Sequence, residues 1–215
     1  SIAFYLMKET GLLSYVFPEL DIMSGIEVID NKGHKDVFIH TLQVVDNAAK
    51  LTPNMAVRFA ALVHDIAKPR TKHFDKKKGW TFHGHDEIGQ RMLIKVAKRM
   101  KLSNHLRDFL MLLTKLHLRP IALAMDGITD SAVRRVMVEA GEHIDELLTL
   151  CRADITTKNP KLVKKYMGNF ERVEHLMQDL KLRDEMRAFQ SPVRGEEIMK
   201  AFSLKPGKKV GKIKK

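Results

Sequence analysis

The sequence predicts an all-α fold, and three observations support that prediction. Apolar residues recur at helical spacing through most of the chain. Proline, asparagine and glycine interrupt this spacing at intervals that suit helices of ordinary length. The sequence has no alternation of strand and helix patterns, and it lacks the glycine-rich phosphate-binding motifs of parallel α/β folds.

The individual elements follow from apolar periodicity and from the residues that break it. The first predicted helix covers Ile2 to Tyr15 and ends near Gly11 or Tyr15, and a short helical turn begins at Pro18. Residues 24–34 are predicted to be a loop, and residues 71–83 a small hairpin or an ordered loop. The remaining predicted helices cover residues 35–50, 55–67, 86–100, 103–117, 130–140 (with Asp130 as its cap), 142–157, 161–189 and 195–202.

The charge balance favours a polyanionic partner. The chain has 38 Lys and Arg against 26 Asp and Glu, a net charge of +12, which is typical of proteins that bind RNA. The alternative is that the charge serves solubility alone. At 215 residues the chain can build one good core or two small ones.

Cysteine content and hydropathy indicate the cellular compartment. A single cysteine, Cys151, excludes an internal disulfide and suits a reducing cytoplasm. No apolar run approaches the roughly 20 residues that span a bilayer, and no signal-peptide pattern opens the chain, so we expect no membrane contact. Because Ser1 lies inside a helical pattern, we expect the sequence to be part of a longer protein.

An adjacent His64-Asp65 pair in a small, apolar helical segment is the strongest candidate for chemistry. Neighbouring helical residues lie about 100° apart, so an imidazole and a carboxylate can reach one point and bind a divalent cation. The alternative is a buried structural histidine beside a surface aspartate. Further candidate ligands occur on other predicted helices or at their ends: His40, His85, His117 and Asp154.

This ordered series resembles the metal-binding pattern of the HD superfamily of phosphohydrolases, whose fold is an all-helical bundle around a metal centre. Three further segments resemble one branch, the HD-containing bacterial CCA-adding tRNA nucleotidyltransferases of the poly(A) polymerase family: residues 13–20, 33–41 and 130–135. The resemblance covers the helical body of that branch, with its additional C-terminal helices. The amino-terminal polymerising head and its Asp-x-Asp pair are not found in the sequence, so we expect no polymerisation.

The resemblance implies a ligand set for one or two divalent ions, among which Mg, Mn, Ni, Fe and Zn are all candidates. The first ion would be held by His40, His64, Asp65 and Asp154. Asp65 would bridge to a second ion held by His85 and His117. His83 competes with His85 for its position. We favour His85 because it opens the following helix, which leaves His83 a loop or substrate-contact role.

Asp65 and Lys68 are the predicted catalytic residues. Asp65 would hold the ions that activate a water molecule, because bound cations lower the pKa of water. Lys68 lies one helical turn beyond His64, where its ammonium can neutralise phosphate oxygens. The alternative is a lysine that interacts with the C-terminal dipole of the helix.

Basic and aromatic residues near this segment are candidates for contact with RNA or substrate. Six cations in residues 68–78 are interleaved with Phe74 and Trp80, whose rings can stack on bases. The tail at residues 204–215 holds six lysines. The alternative is a set of solvated surface charges. The predicted contact residues are Arg70, Lys72, Trp80, His83, Arg134 and Arg135.

Together these inferences predict the tRNA-binding helical body of a CCA-adding enzyme, with a phosphohydrolase centre that acts on 2′,3′-cyclic or 2′-phosphates. The expected partners are tRNA and a phosphoester or nucleotide substrate. Two alternatives remain: a stand-alone HD-type nucleotide phosphohydrolase, and an RNA-binding body with a vestigial metal site. We expect a lead-in segment at residues 1–34, a metal-binding core at 35–160 and a basic helical segment at 161–215.

Overall fold

A computed structural model describes residues 1–124, 128–188 and 195–214 of the chain. Contacts divide the chain into two compact units, residues 1–175 and 176–215. The division of the chain into segments 1–34, 35–160 and 161–215, expected from the sequence, stays a prediction.

Helices dominate both units, and the predicted all-α fold class is confirmed. The helices are α1 (Ile2–Glu9), α2 (Leu13–Val16), α3 (Pro18–Asp21), α4 (Val37–Leu51), α5 (Met55–Val63), α6 (Lys68–Thr71), α7 (His85–Arg99), α8 (Asn104–Leu116), α9 (Arg119–Leu123), α10 (Asp130–Ala140), α11 (Ile144–Ala153), α12 (Pro160–Ala188), α13 (Gly195–Phe202) and α14 (Lys208–Lys214). Two antiparallel hairpins pair β1 (Val28–Ile29) with β2 (Lys32–Gly33), and β3 (His73–Asp75) with β4 (Gly79–Thr81).

The first helix ends at Glu9, close to the predicted end near Gly11, because Gly11 adopts a left-handed conformation with φ +73° that separates α1 from α2. Other predicted boundaries were wrong. The helix predicted at 55–67 ends at Val63, and the one predicted at 142–157 covers only Ile144–Ala153 after a 3-10 turn. The predicted loop at 24–34 contains the β1–β2 hairpin, and α9 was not predicted. The hairpin expected within residues 71–83 is present.

Side-chain caps begin several of the long helices. Asp36 accepts a hydrogen bond from the Ile39 amide at 2.9 Å and caps α4, and Ser103 accepts one from Leu106 to cap α8. Thr129 rather than the predicted Asp130 caps α10, because the Thr129 hydroxyl accepts from Ala132. Caps of this kind each stabilise a helix by about 1 kcal/mol.

The core of the first unit forms where α4, α5, α7, α8 and α11 pack together. Its fully buried side chains include Leu42, Leu93, Leu110 and Leu147. Gly89 of α7 allows close packing on α8, because a Cβ there would lie 3.0 Å from the Thr114 methyl group. Five helices therefore meet closely enough for polar side chains at their ends to converge.

The two hairpins are joined through Trp80. Its indole Nε1–H donates a 2.9 Å hydrogen bond to the carbonyl of Lys32, and the Lys32 ammonium donates to the carbonyl of Lys76. The Trp80 ring contacts the rings of Phe74 and His34 edge-on, each at 5.3 Å between centroids.

In the second unit, α13 packs with α14, and Leu180, Ile198 and Val210 are buried. Over the ranges that the structure describes, no helix is both long and apolar enough to cross a membrane.

Candidate metal centre

The six predicted metal ligands converge on one buried site in the first unit. His40 lies within α4, His64 caps the end of α5, and Asp65 follows in the turn. The other three also lie at or near helix ends: His85 opens α7, His117 caps the end of α8, and Asp154 caps the end of α11. Five helices thus contribute to the site. Most of the ligands lie at or next to a helix end, and their side chains point into the site.

Asp65 lies at the centre of the cluster, and its two oxygens face different neighbours. The Oδ2 atom is 3.5 Å from His40 Nε2 and 3.2 Å from His64 Nε2. The Oδ1 atom is 3.3 Å from His85 Nε2 and 3.8 Å from His117 Nε2. Two groups of three possible ligand atoms therefore share Asp65.

Asp154 closes the first of these groups. Its Oδ1 atom lies 3.0 Å from His40 Nε2 and 3.5 Å from His64 Nε2. The backbone just before it is held by Asn47, whose amide donates to the carbonyl of Ala153 at 2.9 Å. This bond joins the end of α11 to α4 and so fixes Asp154 relative to His40.

Hydrogen bonds on the opposite ring nitrogens orient the four histidines. The Nδ1 atoms of His64, His85 and His117 lie 2.6–2.8 Å from the backbone carbonyls of residues 61, 82 and 114 respectively. His40 Nδ1 lies 3.1 Å from the Thr156 hydroxyl. Because a carbonyl only accepts, each of those three Nδ1 atoms carries the proton, and the Nε2 atom points into the site. Such partners are typical of metal-binding histidines.

Three buried polar atoms of the cluster make no hydrogen bond in the described part of the chain: His64 Nε2, Asp65 Oδ1 and Asp154 Oδ1. Leaving a buried polar atom unsatisfied costs about 1–3 kcal/mol, so a fold rarely gathers three of them at one point. A divalent cation would satisfy all three. Imidazole nitrogens and carboxylate oxygens together suit cations of intermediate softness. The residues therefore fit a metal ion.

Charges within the cluster shift the pKa values of its members. Burial alone would lower the pKa of His64, but the carboxylates of Asp65 and Asp154 outweigh burial and raise that pKa well above its usual range. Burial would raise the pKa of Asp65, but the cations of His64 and Lys68 hold it well below its usual range. Burial and the nearby charge of His64 lower the pKa of His117 to about 4.

Lys68 supplies a second positive charge to Asp65. Its ammonium lies 2.5 Å from Asp65 Oδ2 and 5.8 Å from the centre of the Phe82 ring. Lys68 begins α6 and does not belong to α5, and its catalytic role stays a prediction. The side chain lies between the cluster and an adjacent cavity.

That cavity has a volume of about 690 Å³ and opens on the first group of ligands. His40, Asp154 and Lys68 line it on one side. Residues from the β2–α4 connection, from the segment after Asp154 and from α12 complete its walls. Sequence reasoning missed Asn47, Thr156 and the α12 wall. The Thr156-Thr157 pair two residues beyond Asp154 was the available signal for part of this surface.

The predicted RNA-contact residues lie in several different places. Arg70 and His83 are exposed, and no contact brings His83 to the metal cluster, where His85 lies instead. The Lys72 ammonium pairs with Glu27 at 2.9 Å and lies 4.6 Å from the centre of the Trp80 ring. Arg134 and Arg135 lie on α10. These assignments stay predictions.

Comparison with known proteins adds a family match and several relatives. A family model described as HD domain matches residues 37–159. A "Multifunctional CCA protein" of Psychromonas ingrahamii is 30% identical over 71% of this chain and 38% of its own length. A protein of the same name from Shewanella frigidimarina is 32% identical over 72% of this chain and 37% of its own. An "A-adding tRNA nucleotidyltransferase" of Deinococcus radiodurans is 29% identical over 96% of this chain and 47% of its own length. The chain therefore spans less than half the length of these relatives.

Proposed function

We propose that this chain, which belongs to the HD-domain family, hydrolyses phosphoesters with the help of divalent metal ions. The proposed substrates are 2′,3′-cyclic phosphates and 2′-phosphates of nucleotides or RNA. The observation that supports this most directly is the cluster of three unsatisfied buried polar atoms among oriented histidines.

The proposed ligands form two groups that share Asp65. His40, His64, Asp65 and Asp154 would hold one ion, and His85, His117 and Asp65 a second. A bound cation would supply a Lewis acid and would lower the pKa of water. Four imidazoles and two carboxylates favour Mn, Fe, Ni or Zn over Mg, because Mg prefers an all-oxygen set.

The protein's own residues would position the substrate. The exposed part of Lys68 faces the cavity, where its ammonium can offset the charge that develops on phosphate oxygens. Hydrolysis of a cyclic diester adds water across one P–O bond and leaves a phosphomonoester and a free hydroxyl. The Asp65 carboxylate is buried away from bulk water, and the nearby charges of His64 and Lys68 keep it ionised.

We further propose that the chain is the tRNA-binding helical body of a CCA-adding tRNA nucleotidyltransferase. The names of the relatives and the net charge of +12 support this proposal. A stand-alone nucleotide phosphohydrolase would have the same metal centre but no measurable affinity for tRNA. A vestigial site is disfavoured, because all six ligand positions retain metal-binding side chains.

Hydrolysis by the purified chain tests the enzymatic part. With Mn²⁺ or Ni²⁺ added, the chain should convert nucleoside 2′,3′-cyclic phosphates to monophosphates, and Asp65→Ala should lower the rate about a hundredfold or more. His175→Ala is the matched control, because His175 is exposed and lies outside the cluster. Undiminished hydrolysis by Asp65→Ala would reject the proposed centre.

A further inference from the structure

The cavity beside the metal cluster has two chemically different parts. One part lies at the metal cluster, where His40 is 3.0 Å from Asp154 and 3.1 Å from the Thr156 hydroxyl, and where Lys68 pairs with Asp65. Another part is one face of α12, which we call the α12 face. Its residues follow helical spacing: Leu162, Tyr166, Asn169 and Phe170. A ligand that fills the cavity must therefore be charged at one end and largely apolar at the other.

The α12 face also carries polar groups that make no hydrogen bond within the described part of the protein. The Asn169 side chain is half-buried, yet neither its amide nor the Tyr166 hydroxyl bonds another described residue. Tyr166 is 39% exposed, so part of its ring is open to a ligand. An amide offers a donor and an acceptor side by side, which matches the edge of a nucleobase.

The cavity is larger than a phosphate group alone requires. Its volume of about 690 Å³ lies within the range of about 300–1,000 Å³ that holds organic ligands of moderate size. A phosphate group bound at His40 and Lys68 would leave the α12 face uncovered.

We infer that the α12 face is a nucleobase-binding site for the phosphoester that the adjacent centre hydrolyses. The base stacks on Tyr166, its edge bonds the Asn169 amide, and the phosphate lies in the part lined by Lys68. The inference rests on the proposed function for the identity of the reaction. It adds that the chain selects nucleosides, with Tyr166 and Asn169 as specificity-determining residues.

The experiment compares nucleoside 2′,3′-cyclic phosphates of all four bases with a base-free substrate, methyl riboside 2′,3′-cyclic phosphate. The metal-loaded wild type should favour nucleosides by about tenfold or more in kcat/KM, since one base stacked on an aromatic ring contributes about that much. Tyr166→Ala should lose this preference, and Tyr166→Phe should keep it. Asn169→Ala should reduce the differences in kcat/KM among the four nucleoside substrates.

Lys165→Ala is the matched control, because Lys165 is exposed on the same helix and does not line the cavity. Lys165→Ala should match the wild type on every substrate, and Tyr166→Ala should lose much more activity on nucleosides than on the base-free substrate. Equal wild-type use of nucleoside and base-free substrates would overturn the inference. It would also be overturned if Tyr166→Ala slowed both substrates equally.

A binding measurement separates failure of this inference from failure of the proposed function. Titration calorimetry gives the affinity of the chain for nucleoside 2′-monophosphates and for methyl riboside 2′-phosphate. If no substrate is hydrolysed, base-dependent binding that Tyr166→Ala abolishes would still support the site. Base-independent binding would reject it.

Discussion

Alanine substitution of individual ligands should remove metal ions in a pattern set by the two oxygens of Asp65. Oδ2 faces His40 and His64, whereas Oδ1 faces His85 and His117. Asp65→Ala takes a ligand from both groups and should abolish binding. His40→Ala and His117→Ala each take a ligand from one group, and each should leave one ion of two.

The stabilisation lost with each ion follows from mass action. At a free metal concentration of about 100 Kd, one ion stabilises the folded state by about 2.7 kcal/mol. For a chain of about 150–250 residues, 1 kcal/mol shifts Tm by about 2–4 °C. Each ion should therefore raise Tm by about 5–10 °C. We expect roughly twice this shift for the wild type, which would hold two ions, and the one-ion shift for His40→Ala or His117→Ala.

Metal content of the dialysed protein, measured by inductively coupled plasma mass spectrometry, gives the stoichiometry. Thermal unfolding followed by circular dichroism, with and without Ni²⁺ or Mn²⁺, gives the shift in Tm. His175→Ala should match the wild type in both measurements. Asp65→Ala with a wild-type shift would refute the assignment of the shared ligand. Complete loss of metal from His117→Ala would reduce the site to a single ion.

Three further outcomes are expected. Metal affinity should rise about tenfold per pH unit near neutrality, because the raised pKa of His64 means that a proton must leave before a metal binds; a pH-independent Kd in calorimetry would contradict this. Leu147→Ala should lower the free energy of unfolding, measured by urea denaturation, by about 2–5 kcal/mol, because Leu147 is fully buried. A loss below about 1 kcal/mol would show that the core around Leu147 is not closely packed. Affinity for tRNA should fall steeply with salt because counterions are released on binding, and binding that does not respond to salt would mean that the charge serves solubility.

The helical content of the chain was predictable because its determinants are local. Apolar periodicity, caps such as Ser103 and helix starts such as Pro160 act within a few residues of where they stand. The β1–β2 hairpin escaped prediction because strands of two residues carry too little periodicity. Its pairing is supported by the distant contact of Trp80 with Lys32, 48 residues away in sequence.

Helix ends near the site were harder to predict than the helices themselves. His64 and Asp154 come directly after α5 and α11, although the apolar pattern continues past both residues. These helices stop where tertiary packing holds the chain, as when Asn47 bonds the carbonyl of Ala153. No local signal marks that contact.

The sequence by itself determined the helical class and the candidate ligands, because residue type and spacing carry that information. Only the tertiary structure decided that each oxygen of Asp65 faces its own pair of histidines, since those distances depend on how five helices pack. It also decided that α12 forms a wall of the cavity beside them. Contacts such as that between His40 and Thr156, 116 residues apart, arise from burial of the whole core, and the spacing of residues in sequence does not contain them.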